Sequence, residues 1–295
     1  MGCGASTSLR ERDDMALCFV VFNPAQSKRL MMNYLYVANL YRSFGLPVYT
    51  MELVFEGRDP EIPASPTVFH VHGKSHMFHK ERLCRLLEQR VPRRFTKLAF
   101  LDADVIFDHT GWYDETSALL DTHDVVQPFE KAHWMDLSYT EIELTRETVL
   151  KMNGPVWDFK YHPGFAWAFR REWYRRYGFF DWAVSGSGDT LSTSQWMSKT
   201  FPRNFKSLPA ALRYVYKEYA QHPVPRITYR PGDIYHLYHG SRKNRQYSER
   251  HQLLEVSQHI EQMIEINKDG VYEWIDPKWN GVFLDYFKNR FDDDA

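Results

Sequence analysis

The segment LAFLDADVIF (Leu98–Phe107) constrains this chain more than any other. Its opening apolar residues predict a buried strand, Lys97–Leu101, that runs straight into Asp102-Ala103-Asp104. Val105–Phe107 is expected to continue that strand. Residues two apart on extended backbone share a face, so Asp102 and Asp104 would present their carboxylates together. Such a pair suits a hard divalent cation, Mg2+ or Mn2+, and through it a diphosphate. The plainer alternative is a surface turn whose aspartates cap neighbouring backbone.

Strand and helix signals alternate around this segment. Ala16–Phe22 reads as a buried strand that ends at the turn signal Asn23-Pro24. Leu30, Tyr34, Val37, Tyr41 and Phe44 recur at helical spacing, and Gly45 stops that helix. Val48–Phe55 and Thr67–Val71 read as strands, and Leu83, Leu86 and Leu87 as one helical face closed before Pro92. A helix at Trp112–Leu120 and strands at Asp124–Phe129, His162–Arg170 and Ile234–His239 follow. An amphipathic helix is expected from Glu249 to Ile266. The alternation predicts an α/β fold with a mostly parallel central sheet flanked by helices, and ligands at the carboxyl ends of its strands. One compact domain is expected over 15–295, with a nucleotide half at about 15–130 and an acceptor half at about 131–295, behind a flexible tail at 1–14.

Composition removes several classes. Lys+Arg 37 against Asp+Glu 38 leaves a net charge of -1, which argues against a nucleic-acid partner. With 43% hydrophobic and 25% charged residues, disorder is not the main state. Cys3, Cys18 and Cys84 are odd in number and unpaired in spacing, so they make neither a disulfide framework nor a zinc site. A reducing, cytoplasmic setting is the expectation. No apolar run approaches the ~20 residues of a membrane span, and the first residues lack the apolar core of a secretory signal. MGCGAS does fit the Met-Gly-x-x-x-Ser pattern for myristoylation of Gly2, with Cys3 as a palmitoyl site. Membrane association is expected only if those two are acylated, because one chain anchors weakly. Thr7 to Asp14 offers no basic patch to help, which favours an unmodified tail.

Two later segments carry chemistry. HLYHGSRKNRQYSERH (His236–His251) places His239 before a glycine and a run of cations. A neutral imidazole there could complete a metal's ligands, and Arg242 and Lys243 could meet phosphate oxygens. On one strand His236 and His239 would face opposite ways, so only one of the two is expected as a ligand. AVSGSGDTLST (Ala183–Thr193) has Gly186 and Gly188 for a tight turn and close ligand approach. Asp189 then reads either as a helix N-cap or as a general base toward an acceptor hydroxyl. Asn23, Arg29, Glu52 and Lys80, at strand ends or helix starts on the nucleotide side, are further candidates for donor contact. Aromatics are 16% of the chain, mostly core by expectation, with Trp167 and Trp182 the candidates to stack on an acceptor sugar. Arg170, Arg171, Arg175 and Arg176 read as a solvated helix face.

These motifs, in this order, resemble metal-dependent glycosyltransferases of the GT-A fold. LDADVIF matches the Asp-x-Asp motif of that fold. HGSRKN (His239–Asn244) is similar to the His-Ser-Arg-x-Lys-Asn segment of the β-1,4-galactosyltransferases, and SGSGDT stands in place of their Gly-x-Gly-Trp-Glu-Asp segment. FNPAQSKRLMMNY, FHKERL, HPGFAWAFRRE and HLYHGSRKNRQY look like small glycosyltransferase-like proteins of large DNA viruses, phages and bacteria. The resemblance implies Asp104 and His239 as metal ligands, Asp102 on metal or ribose, and Asp189 as base. It implies transfer from a nucleotide-diphospho-sugar, most often a UDP-sugar, to a glycan or other hydroxyl acceptor, with inversion. Ser187 and Gly188 depart from the family's Trp-Glu, and the stem, disulfides and anchor of the Golgi enzymes are missing, so donor and acceptor identities do not carry over. Two rivals stand beside it. A sugar-1-phosphate nucleotidyltransferase would need a glycine-rich loop where this chain has Asn23-Pro24-Ala25-Gln26. A glycan-binding module would need aromatic platforms but no metal carboxylates.

Overall fold

The computed structural model describes residues 11–154, 158, 160–198, 208–245 and 249–293. Gly2, Cys3 and the acylation signal lie outside them. A seven-stranded sheet carries the fold. Its strands are β1 (Met15–Phe22), β2 (Val48–Phe55), β3 (Val68–Gly73), β4 (Lys97–Leu101), β6 (Val125–Gln127), β10 (Ala166–Arg170) and β11 (Ile227–Tyr229), in the order β11-β6-β10-β4-β1-β2-β3. Every neighbouring pair is parallel except those of β10, which runs antiparallel to both β4 and β6. The α/β fold with a mostly parallel central sheet is therefore present. β1, β2 and β4 are almost wholly buried, as strands covered on both faces must be.

Val105–Phe107 does not continue β4. After the turn at Asp102-Ala103-Asp104 it becomes β5 of a second, five-stranded sheet. That sheet adds β7 (Lys131–Met135), β8 (Ile142–Thr148), β9 (Tyr161–His162) and β12 (Asp233–His236), in the order β5-β12-β7-β8-β9. The chain thus changes sheets at the two aspartates. The expected strand His162–Arg170 likewise splits, into β9 of the second sheet and β10 of the first.

Helix α1 (Lys28–Ser43) begins where Ser27 accepts the N–H of Leu30 at 3.1 Å. The Asp293 carboxylate adds bonds from Ser27 Oγ (2.7 Å) and the Lys28 and Arg29 N–H groups, which ties the carboxyl end of the chain to this helix start. The helix lays Tyr34, Val37, Ala38 and Tyr41 on the sheet, and the Tyr41 hydroxyl donates to the Val105 carbonyl at 2.9 Å. Helix α2 (Lys80–Arg90) buries Leu83, Cys84 and Leu87 on the opposite face of the sheet.

Arg171 corrects the reading of its arginine group as solvated. It is buried, pairs with Glu88 at 2.6 Å, and donates to the carbonyls of Glu88, Val91, Pro92 and Phe95. It thereby closes the carboxyl end of α2. Arg175 and Arg176 are exposed. No long helix spans Glu249 to Ile266. Short 3-10 turns at Glu249–Leu254 and Ile260–Gln262 precede the strand Ile264–Ile266, which pairs with Tyr272–Trp274. Cys18 and Cys84 are buried free thiols, and no helix among the described residues is long and apolar enough to cross a membrane.

Candidate metal and transfer site

A cleft of about 270 Å3 opens at the carboxyl ends of β1 and β4, where the two sheets diverge. The sheet registers explain what gathers there. Antiparallel pairing of β5 with β12 sets Val105 opposite His236, and the Leu237 N–H donates to the Asp104 carbonyl at 2.8 Å. Asp104, just before β5, therefore meets the residues just after β12. Because β12 ends at His236, the chain turns before His239 and both imidazoles face the same carboxylate. His239 Nε2 lies 3.1 Å and His236 Nε2 3.5 Å from Asp104 Oδ2, and the two Nε2 atoms are 3.0 Å apart. The expectation that the two histidines face opposite ways fails because it extended the strand three residues too far.

These donor atoms fit a metal. Adjacent ligand atoms around an ion with bonds of about 2.1 Å stand roughly 3 Å apart in octahedral or tetrahedral geometry. Asp104, His236 and His239 form the group among the described residues whose donor atoms could close on one ion. Asp102 is not in it. Its carboxylate pairs with the Lys80 ammonium, and its N–H donates to the Phe165 carbonyl at 2.7 Å. Burial pushes the Asp102 carboxyl up, Lys80 opposes that, and Asp104 adds to it. Lys80 is held protonated by Asp102, then Asp189 and Glu81, against the opposing effect of its own burial.

Phe165 supports this edge in an unusual conformation, φ +78°. A bulky side chain seldom adopts it, and such strain persists where the surroundings impose it. Here the ring is fixed between His162 (4.2 Å between centroids), His236 (4.6 Å) and Trp134 (4.8 Å). Gly164 beside it admits the Asp189 carboxylate, since a Cβ there would lie 2.7 Å from Asp189 Oδ2 and 3.0 Å from His162 Nε2.

Asp189 is the second residue of α3 (Gly188–Trp196), not its N-cap. Ser187 takes the cap position in left-handed backbone, φ +67°, without a side-chain capping bond. Asp189 Oδ1 accepts only from Thr190 among the described residues, through its N–H at 2.7 Å and its hydroxyl at 3.4 Å. Arg250 and His251 clamp the turn. Arg250 donates to Ser187 Oγ at 2.9 Å, and its guanidinium lies against Gly186, φ +87°, whose Cβ would come within 2.7 Å of Cζ. His251 bridges Ser185 and Ser187 at 3.1 and 3.0 Å. Burial pushes its imidazole down to about 4, and the Arg250 charge adds to that.

Asn23, Lys80, Asp102, Asp104, Asp189 and His239 line this cleft together, joined by His236, Glu81 and Arg250. Other sequence candidates sit elsewhere. Asn23 also spends its amide on Ser27 and Glu61. Glu52 is buried beneath the next loop, accepts the N–H groups of Glu61 and Ile62, and pairs with His70 at 3.2 Å. Arg29 is not in the cleft lining; it reaches Tyr139 and the ring of Tyr238, which does line the cleft. Trp167 is a core residue, 2% exposed, whose indole N–H donates to the Pro163 carbonyl. Trp182 stacks on Tyr272 at 5.3 Å, also away from the cleft lining. Lys243 is exposed in a short 3-10 turn outside that lining, and the Arg242 side chain lies outside the described residues.

No family model matches the chain, and no curated protein does. Among solved structures 33 chains match. The catalytic domain of Drosophila β1,4-galactosyltransferase 7 in complex with xylobiose is 12% identical, with 91% of this chain and 98% of that one covered at a TM-score of 0.41. A mutant of that enzyme in complex with manganese, UDP-Gal and xylobiose gives 12% identity, the same coverage and a TM-score of 0.42. A Desulfovibrio desulfuricans protein assigned as a nucleotide-diphospho-sugar transferase gives 11%, with 76% of this chain and 82% of that one covered and a TM-score of 0.35. The likeness is remote, and the geometry of the cleft stands independent of it.

Proposed function

We propose that this protein is a metal-dependent glycosyltransferase that moves a sugar from a nucleotide-diphospho-sugar, a UDP-sugar in the first instance, to a hydroxyl of a glycan or other acceptor. One observation carries the reading: Asp104, His236 and His239 converge within a single ion's reach, in the same cleft as the Asp189 carboxylate. Two imidazole nitrogens and one carboxylate favour a transition-metal ion such as Mn2+ over Mg2+. When bound, the ion would supply positive charge to the diphosphate as its bond to the sugar breaks.

This chain's own residues do the rest. Asp189 takes the proton of the acceptor hydroxyl while that oxygen attacks the anomeric carbon from the face opposite the departing diphosphate. A single displacement of this kind inverts configuration. Lys80 holds Asp102 beside Asp104 and gives the nucleotide side of the cleft a fixed cation. Arg250, in the cleft lining, is a further cation for phosphate oxygens beside Arg242 and Lys243.

A panel of nucleotide-sugars incubated with Mn2+ tests this by release of free nucleotide. Donor-dependent release that chelator stops and Asp104→Asn abolishes is expected. Release of pyrophosphate from a nucleoside triphosphate would instead indicate a nucleotidyltransferase, and glycan binding without nucleotide binding a lectin-like module.

A further inference from the structure

Glu81 has no part in the reaction as described, yet it lines the cleft. It sits in the first turn of α2, next to Lys80, and is only 6% exposed. Its carboxyl group lies against the backbone of Gly188, so closely that a Cβ on Gly188 would collide with its carboxyl carbon and Oε1. Gly188 does not adopt the left-handed backbone that favours glycine, so here the glycine serves space and not conformation.

A carboxyl in such a position is costly unless its oxygens find donors. Among the described residues Glu81 has the Lys80 ammonium nearby and its own N–H. Burial pushes it up to about 7, Lys80 opposes that, and Asp189 adds to it. Sugar hydroxyls are donors of the right kind, and two neighbouring hydroxyls match the two oxygens of one carboxyl group. The position selects which sugar. Glu81 borders the Lys80–Asp102 pair on the diphosphate side and Gly188-Asp189 on the acceptor side. In an in-line displacement the transferred sugar lies between those two sides.

Building on the glycosyltransferase reading, we infer that Glu81 is a sugar-binding residue that accepts hydrogen bonds from hydroxyls of the transferred sugar and restricts the donor to neutral sugars. A uronic acid would set a fourth carboxyl group beside those of Glu81, Asp189 and Asp102, where like charges disfavour it.

The test compares wild type, Glu81→Gln and Glu81→Ala with UDP-glucose, UDP-galactose, UDP-xylose and UDP-glucuronic acid in Mn2+. Calorimetry with UDP alone runs alongside. Both variants are expected to bind UDP within about 2-fold of wild type. Their kcat/KM for the preferred neutral donor should fall about 10- to 100-fold, the scale of one or two hydrogen bonds to a charged group. Their preference over UDP-glucuronic acid should narrow. Unchanged kcat/KM together with unchanged donor preference would overturn the assignment. Monodeoxy analogues of the preferred donor, assayed on wild type, give a second reading that needs no folded variant. At least one missing hydroxyl should cost about 10-fold, and in Glu81→Gln that analogue should lose no more. A flat deoxy series would also overturn the assignment. Wild type that neither binds UDP with Mn2+ nor turns over any donor would defeat the glycosyltransferase reading itself, and Glu81's role with it.

Discussion

His236 and His239 meet through their Nε2 atoms at 3.0 Å, with Asp104 Oδ2 within 3.5 Å of both. One hydrogen bond can join the two imidazoles, whereas a shared ion would give all three groups a common partner. His236→Ala, His239→Ala and Asp104→Asn should each weaken Mn2+ binding by on the order of 100-fold or more, beyond the loss typical of an outer-shell partner. Calorimetric titration of Mn2+ checks this. Asp102→Asn should cost far less Mn2+ affinity, because Lys80 holds that carboxylate.

Asp189→Asn should separate binding from chemistry. UDP and Mn2+ affinities are expected within about 2-fold of wild type, while transfer falls by about 10^2- to 10^4-fold, the usual contribution of a positioned base. Since Ser187 and not Asp189 takes the cap position, the melting temperature should hardly move. Thermal melting and steady-state kinetics of this variant decide the point, and loss of fold together with binding would return Asp189 to a structural role.

Gly164→Ala should disturb the same carboxylate from the other side. Its methyl would sit 2.7 Å from Asp189 Oδ2, so one of the two must move. Lower kcat with unchanged nucleotide affinity is the expected pattern, because displacing a base by a fraction of an ångström weakens the reactive geometry.

Acid should destabilise the fold from about pH 6.5 downward through a buried histidine. His79 is buried, its Nε2 donates to the Ser75 carbonyl at 2.8 Å, and burial pushes its imidazole down to about 4. Its folded value lies below its unfolded value, so the stabilising effect is complete above about 6.5 and disappears as pH falls through 4. The loss is on the order of 3 kcal/mol across that window. Urea melts at pH 7 and pH 4.5 should show it, and a His79→Gln variant, which keeps a donor but not the titration, should lose less stability between the two pH values than wild type, with the share of His251 remaining.

Arg171→Ala should be among the most destabilising single changes. It leaves a buried Glu88 with the exposed Arg175 at 3.7 Å as its remaining cation, and four carbonyls without their guanidinium donor. A loss of about 3–5 kcal/mol is expected, with Arg171→Lys recovering little because one ammonium cannot span four acceptors. Denaturant melts measure it.

The sheet was legible because its strands are continuous apolar runs and its helices periodic. Met15–Phe22, Val48–Phe55 and Lys97–Leu101 needed no tertiary knowledge. The change of sheet at Asp102–Asp104 was not legible, because an apolar Val105–Phe107 looks the same whichever sheet it joins. That junction also hid His236: the strand's end, set by pairing with β5, decides whether the two histidines diverge or converge. An isolated tryptophan carries no signal of depth, so Trp167 reads as a sugar platform in the sequence although it packs in the core against Trp196 at 5.0 Å. The place of Glu81 depends on Gly188, over a hundred positions away in the chain, which no local pattern shows.

The most direct test of the central claim is the binding of UDP to wild type and to Asp104→Asn, titrated with and without Mn2+. Tight UDP binding by wild type only when Mn2+ is present, and its loss in Asp104→Asn, is the predicted result. Equal UDP binding with and without the metal, or an Asp104→Asn variant that binds as wild type does, would contradict it.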